Sequence, residues 1–173
     1  MRKATDLIGM PVIAIDTGKQ VGQVKDVCMD EYWNLHGIIL EVKHWFTPSR
    51  FIAWSDLTAC GDDVVTIQDE SAIHELQDDA QLFALIGGKQ RLKGLPVITE
   101  SGQQLGMVED VYLESNMGRQ IVGYEISEGF ISDLKEGRKW LPMPEKVTIG
   151  EDAVIVPIHC IEEVDELFVS REE

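Results

Sequence analysis

The chain has 173 residues, with 31 Asp and Glu against 15 Lys and Arg, a formal net charge of -16, and 44% hydrophobic residues. That length suits one ordinary domain or two small ones, and the composition belongs to a chain that buries a core, not to a disordered acidic tail. The acidity repels phosphate backbones and anionic headgroups, and the densest basic stretches (Lys89, Arg91, Lys93 and Arg138, Lys139) are too short for a binding stripe, so direct nucleic-acid binding is not expected.

The N-terminus runs from Arg2 and Lys3 into Asp6 and Gly9 with no apolar stretch between, unlike a secretion signal. The clearest apolar runs, such as Leu82 to Ile86, fall far short of the roughly 18 residues that span a bilayer. Val12 to Ile15, Gln20 to Met29, Gly37 to Val42, Phe51 to Ala53 and Val64 to Ile67 are short β-prone runs bounded by Gly, Pro, Asp and Asn, the pattern of a small all-β barrel. Gly18 falls where a tight hairpin turn needs positive φ, and Gly22 interrupts a strand pattern as a bulge or sharp bend does. Ser55-Asp56-Leu57 predicts a single helical turn after Trp54. From Ser71 to Ile86 the spacing of Ile73, Leu76, Ala80 and Phe83 predicts an amphipathic helix, capped by Ser71 and ended by Gly87-Gly88.

The same pattern then returns. Leu7-Ile8-Gly9-Met10-Pro11-Val12-Ile13 matches Leu92-Lys93-Gly94-Leu95-Pro96-Val97-Ile98 at five of seven positions, and residues 18–27 match residues 102–111 at six of ten. Chance pairing would give about one identity in those 17 positions, so the chain is an internal duplication. Further on, Gly37-Ile38-Ile39-Leu40 faces Gly123-Tyr124-Glu125-Ile126. The predicted organisation is an all-β pair of small barrels: a first copy over 1–70, a linker helix over 71–88, and a second copy over 89–173 with an acidic C-terminal stretch. Residues 1–87 carry 6 basic and 14 acidic side chains and residues 88–173 carry 9 and 17, so each half nets -8.

The repeated elements (Gly9, Gly18, Gly22 and Asp26 in copy one, Gly94, Gly102, Gly106 and Asp110 in copy two) resemble the PRC-barrel family. Its pattern is an opening L-x-G-x-x-V, a turn Gly, a G-x-V-x-D-V strand and a later segment like Phe51-Ile52-Ala53-Trp54-Ser55-Asp56-Leu57. The resemblance implies a small β-barrel of the kind found in the cytoplasmic part of the photosynthetic reaction-centre H subunit and in the C-terminal domain of the ribosome maturation factor RimM. It further implies a protein-binding or assembly role and no catalysis.

Residue chemistry points the same way. The chain contains no HExxH, GxSxG, GxGxxG or GxxxxGKS motif, and neither Cys28 nor His36 is matched in copy two. Cys28, Cys60 and Cys160 are odd in number and widely spaced, which suits apolar fillers in a reducing cytoplasm. His159-Cys160, read as strand, sends its side chains to opposite faces and makes a poor metal site. Asp26 and Asp110 are expected to accept backbone N–H bonds from a neighbouring turn. Acidic pairs such as Asp62-Asp63 lack the spacing of a calcium loop.

Trp45-Phe46 falls in a loop between strands, with Phe130-Ile131 in the comparable loop of copy two. These four are the candidate partner contacts. The reading is a cytoplasmic, non-enzymatic module without cofactor or metal that binds another protein with a basic surface, with self-association left open. An alternative is a ribonucleoprotein assembly factor acting through a basic protein. A third is a metal or thiol sensor using Cys28, His36 and carboxylates.

Overall fold

The structure is a computed structural model that describes residues 1–42, 46–77, 81–114, 117–127 and 138–166. The chain forms two compact units, Met1–Arg91 with Leu113–Ile121, and Leu92–Tyr112 with Val122–Glu173.

In the first unit, β1 (Arg2–Lys3) leads through a 3-10 turn to β2 (Pro11–Ala14), β3 (Lys19–Met29) and β4 (Leu35–Leu40). Next come β5 (Arg50–Ala53), β6 (Leu57–Cys60), β7 (Val65–Ile67), β8 (Ile73–Glu75) and β9 (Phe83–Ala84). The sheet order is β6-β7-β2-β3-β4-β5-β8, with β9 also on β3. In the second unit, β10 (Pro96–Thr99), β11 (Gln104–Leu113), β12 (Ile121–Ser127), β13 (Arg138–Pro142), β14 (Thr148–Ile149) and β15 (Val154–Val156) precede a short helix α1 (Cys160–Glu163) and β16 (Asp165–Glu166). Their order is β14-β15-β10-β11-β12-β13-β16, position for position the order of the first sheet. Each sheet closes on one parallel pair, Val12 beside Val65 and Val97 beside Val154. The duplication read from identities is thus a duplication of topology.

Burial alternates as half-buried strands require. Val12 and Ala14 point inward on β2, Val97 and Thr99 on β10, and Val65 and Ile67 on β7. The long strands bulge at equivalent places. Val12 pairs Gly22 while Ile13 pairs Gln20, and Val97 pairs Gly106 while Ile98 pairs Gln104, so Val21 and Leu105 are each the extra residue. A bulge sharpens the local twist and bends the strand. At Gly106 a Cβ would lie 2.6 Å from the Ser127 carbonyl oxygen, so only glycine admits this approach. Gly18 and Gly102 take φ of 67° and 88° at the hairpin turns.

The helix expected from Ser71 to Ile86 is not formed. Ile73–Glu75 is β8, paired antiparallel to β5 with Ile52 opposite Ile73, and Phe83–Ala84 is β9, paired to β3 with Met29 opposite Phe83. Asp69, not Ser71, accepts the N–H at the start of the 3-10 turn over Glu70–Ala72. The apolar stripe satisfies a helix period, but the edges of β5 and β3 offer unpaired backbone groups, and sheet pairing there outweighs local propensity. The single helical turn expected after Trp54 is present as a 3-10 turn over Trp54–Asp56.

Candidate functional site

Where the bulge bends each long strand, a cleft opens. In the first unit it measures about 640 Å³ and is lined by Gln20, Val21, Gly22 and Gln23, with Glu41, Val42, Thr47 and Arg50 opposite. In the second unit a cleft of about 490 Å³ is lined by Gln103, Gln104, Leu105 and Gly106, with Lys139, Ile161 and Val164. Gln20, Val21 and Gly22 correspond through the repeat to Gln104, Leu105 and Gly106. The cations correspond as well: Arg50 pairs Leu40 across β4 and β5, and Lys139 pairs Ile126 across β12 and β13. Each copy therefore carries a cleft at the bulge, with a glutamine on one wall and a cation on the other, its lining mainly apolar in the first copy and mainly polar in the second. Gln23 is oriented by donating from Nε2 to the Gly9 carbonyl at 2.9 Å.

Of the four predicted partner contacts, Phe46 is described, and it is 87% exposed, one residue before the cleft-wall residue Thr47. Trp45, Phe130 and Ile131 lie outside the described residues. A second exposed aromatic, Tyr32, projects from the β3–β4 turn at 76% exposure. That turn is built around Asp30, whose Oδ1 accepts the N–H groups of Tyr32 and Asn34, both at 2.9 Å, while His36 Nε2 sits 3.2 Å from Oδ2. Burial acts to raise the Asp30 pKa, but the bonds from Asn34, Tyr32 and His36 outweigh it and hold the carboxyl below its ordinary value.

The repeated aspartates are buried. Asp26 accepts the N–H of Val27 at 2.8 Å, of Ile86 at 3.1 Å and of Gly87 at 2.8 Å, which ties β3 to the chain leaving β9. Asp110 accepts the N–H of Val111 at 2.9 Å. Cys28 is buried, and burial together with the Asp26 charge pushes its thiol up to about 12; burial pushes Cys60 up to about 11 against the lowering charge of Arg2. Both stay protonated at neutral pH and are poor nucleophiles.

One constellation escaped the sequence reading. Glu125 is fully buried on β12, accepts from Arg138 Nη1 at 2.7 Å and from the Tyr112 hydroxyl at 3.0 Å, and Tyr112 meets Trp140 edge-on at 4.8 Å between ring centroids. Burial first, then the Glu125 charge, pushes the Tyr112 hydroxyl upward. The repeat held the signal, because the aligned position in copy one is Ile39 and Cys28 faces Tyr112. A carboxylate where the sister copy has isoleucine marks a polar network particular to copy two.

Two equivalent open barrels of identical strand order, each with a bulge cleft and, among the described residues, no long helix, define a tandem β-barrel module. The PRC-barrel domain model matches the chain twice, over residues 1–71 and 89–159, and the chain belongs to that family. It is 28% identical over 160 residues to the uncharacterised protein YrrD of Bacillus subtilis (strain 168), a match covering 90% of this chain and 87% of the relative. Among the described residues no helix is long and apolar enough to cross a membrane.

Proposed function

We propose that the protein is a non-enzymatic docking module that binds another protein through the bulge-cleft face of its first barrel. The observation that carries this reading is Phe46, 87% exposed beside the wall of the cleft that also holds Arg50. Burying a phenylalanine side chain at an interface contributes about 2 to 3 kcal/mol, enough to make one residue an anchor. The partner presents a basic surface, steered in by the net charge of -16, and offers an acceptor to Arg50 within the cleft. Protonated Cys28 and Cys60 thiols, and a Glu125 carboxylate held by Arg138 and Tyr112, leave these groups unsuited to nucleophilic or acid/base work, which supports the non-enzymatic reading.

Affinity co-purification from the native cell tests it, comparing wild type with Phe46→Ala and Arg50→Ala. The expected result is a partner recovered with wild type and reduced about tenfold or more with Phe46→Ala. Equal recovery of every co-purifying protein with both variants would overturn the assignment.

A further inference from the structure

In the extended backbone read from sequence, His159 and Cys160 point apart. The structure instead places them at the start of α1, with His159 at φ -65° and ψ -14°, inside the helical region. On a helical turn, residues three and four apart share a face. Glu163 thus comes beneath both Cys160 and His159, and one donor atom from each of the three lies within 4.8 Å of the others. Glu163 Oε1 is 3.7 Å from His159 Nε2. The turn is held by its own backbone bonds, Cys160 N–H to the Pro157 carbonyl and Glu162 N–H to the His159 carbonyl. Cys160 is fully buried, whereas the side chains of His159 and Glu163 are 58% and 44% exposed. One donor is anchored and two are free to swing toward it.

We propose that His159, Cys160 and Glu163 form a binding site for a divalent transition-metal ion of the zinc type. The donor set decides the class of ion: a thiolate and an imidazole disfavour calcium and magnesium, which take oxygen ligands, and suit zinc or cobalt with a carboxylate as third ligand. Zinc bonds of about 2.0 to 2.3 Å in a tetrahedron separate donors by about 3.3 to 3.7 Å, so the imidazole and carboxylate need close by only about 1 Å. Thiolate and carboxylate together balance the charge of the ion, and the fourth position is left for water or a ligand from outside the chain. Binding forms a metal–sulfur bond, breaks the Cys160 S–H bond and releases that proton to solvent, with no change of oxidation state.

The site belongs to copy two alone. At the offset of 89 set by Val65 and Val154 beside Val12 and Val97, copy one carries Glu70, Ser71 and His74 where copy two has His159, Cys160 and Glu163, so a hydroxyl stands where the thiol is. His74 and Cys60 are therefore built-in controls.

Titration of the purified full chain with cobalt(II) tests the proposal. A thiolate-to-cobalt charge-transfer band and the visible bands of tetrahedral cobalt are expected at one ion per chain, both bleached by zinc. His159→Ala and Glu163→Gln change exposed side chains, and with far-ultraviolet circular dichroism as the check that each variant folds, both are expected to weaken binding at least about tenfold, a loss of about 1.4 kcal/mol. Cys160→Ser is expected to abolish the charge-transfer band, while His74→Ala and Cys60→Ser keep it. Absence of the band in wild type overturns the proposal, as does unchanged affinity in both His159→Ala and Glu163→Gln. Loss of the band in Cys60→Ser would place the thiolate elsewhere and overturn it too.

Discussion

Asp26 accepts the N–H of Gly87 at 2.8 Å across 61 residues of chain, and the same carboxylate takes the N–H of Ile86. A hydrogen bond to a charged acceptor contributes about 1.5 to 3 kcal/mol, and an orphaned buried donor costs about 1 to 3. Asp26→Ala is expected to lower stability by about 2 to 4 kcal/mol, seen as a lower denaturant midpoint at unchanged slope. An unchanged midpoint would mean that water replaces the carboxylate without loss.

Aromatic rings cover glycines at equivalent places in the two sheets. A Cβ on Gly37 would lie 2.6 Å from Phe51 Cζ and 2.1 Å from the Ile52 carbonyl oxygen, and one on Gly123 would lie 2.2 Å from Trp140 Cη2 and 2.6 Å from the Leu141 carbonyl oxygen. The ring can swing aside but the carbonyl cannot. Gly37→Ala and Gly123→Ala are each expected to cost about 1 to 3 kcal/mol or more in thermal or denaturant unfolding. Adding Phe51→Ala to Gly37→Ala should not restore stability, since the backbone clash remains.

The Asp30 turn carries a pH dependence of known sign. Its folded-state pKa is depressed, so its contribution is present above the unfolded value of about 3.9 and is lost as pH falls through the folded value. Asp30→Asn is expected to be less stable than wild type at neutral pH, with the gap narrowing in acid. Unfolding midpoints measured between pH 7 and about pH 2 check this, and a gap that stays constant would assign the loss to shape instead of charge.

Glu125 and Arg138 form an ion pair with one buried member, the Glu125 side chain being 1% exposed and that of Arg138 46%. Removing the partner of a buried charge costs about 3 to 5 kcal/mol, whereas replacing the charge by a well-packed apolar group is often neutral. The half-exposed arginine lies in water enough to place Arg138→Ala at or below the bottom of that range. Glu125→Ile, which restores the residue of copy one, is expected to cost less than Arg138→Ala in equilibrium unfolding. The reverse order would show that the Tyr112 bond to Glu125 matters more than the ion pair.

Much of this architecture was legible in the residues. Gly18 and Gly102 announce positive φ at their turns, and the glycines at 22 and 106 mark the bulges, where Leu40 and the Ser127 carbonyl come close. The alternation along Pro11–Ala14 and Pro96–Thr99 gives strand and inward face together. The linker misled because Ile73, Leu76 and Phe83 satisfy a helix period, while what decides their state is the free edges of β5 and β3, which no local window contains. His159-Cys160 misled for the converse reason: one helical turn rotates the two side chains toward Glu163.

The segment Leu113–Ile121 makes the same distinction. By sequence it is the hairpin of copy two, yet it completes the first unit, where Leu35 N–H donates to the Arg119 carbonyl at 2.7 Å, Ile121 N–H to the Trp33 carbonyl at 3.1 Å and Trp54 Nε1 to the Met117 carbonyl at 3.3 Å. The sequence by itself determined the duplication, the turns, the bulges and the even division of charge, because each depends on local backbone limits or on composition. Only the tertiary structure decided where the linker strands attach, which carboxylates are buried and which side chains converge, because those depend on backbone edges and donors brought together from far along the chain.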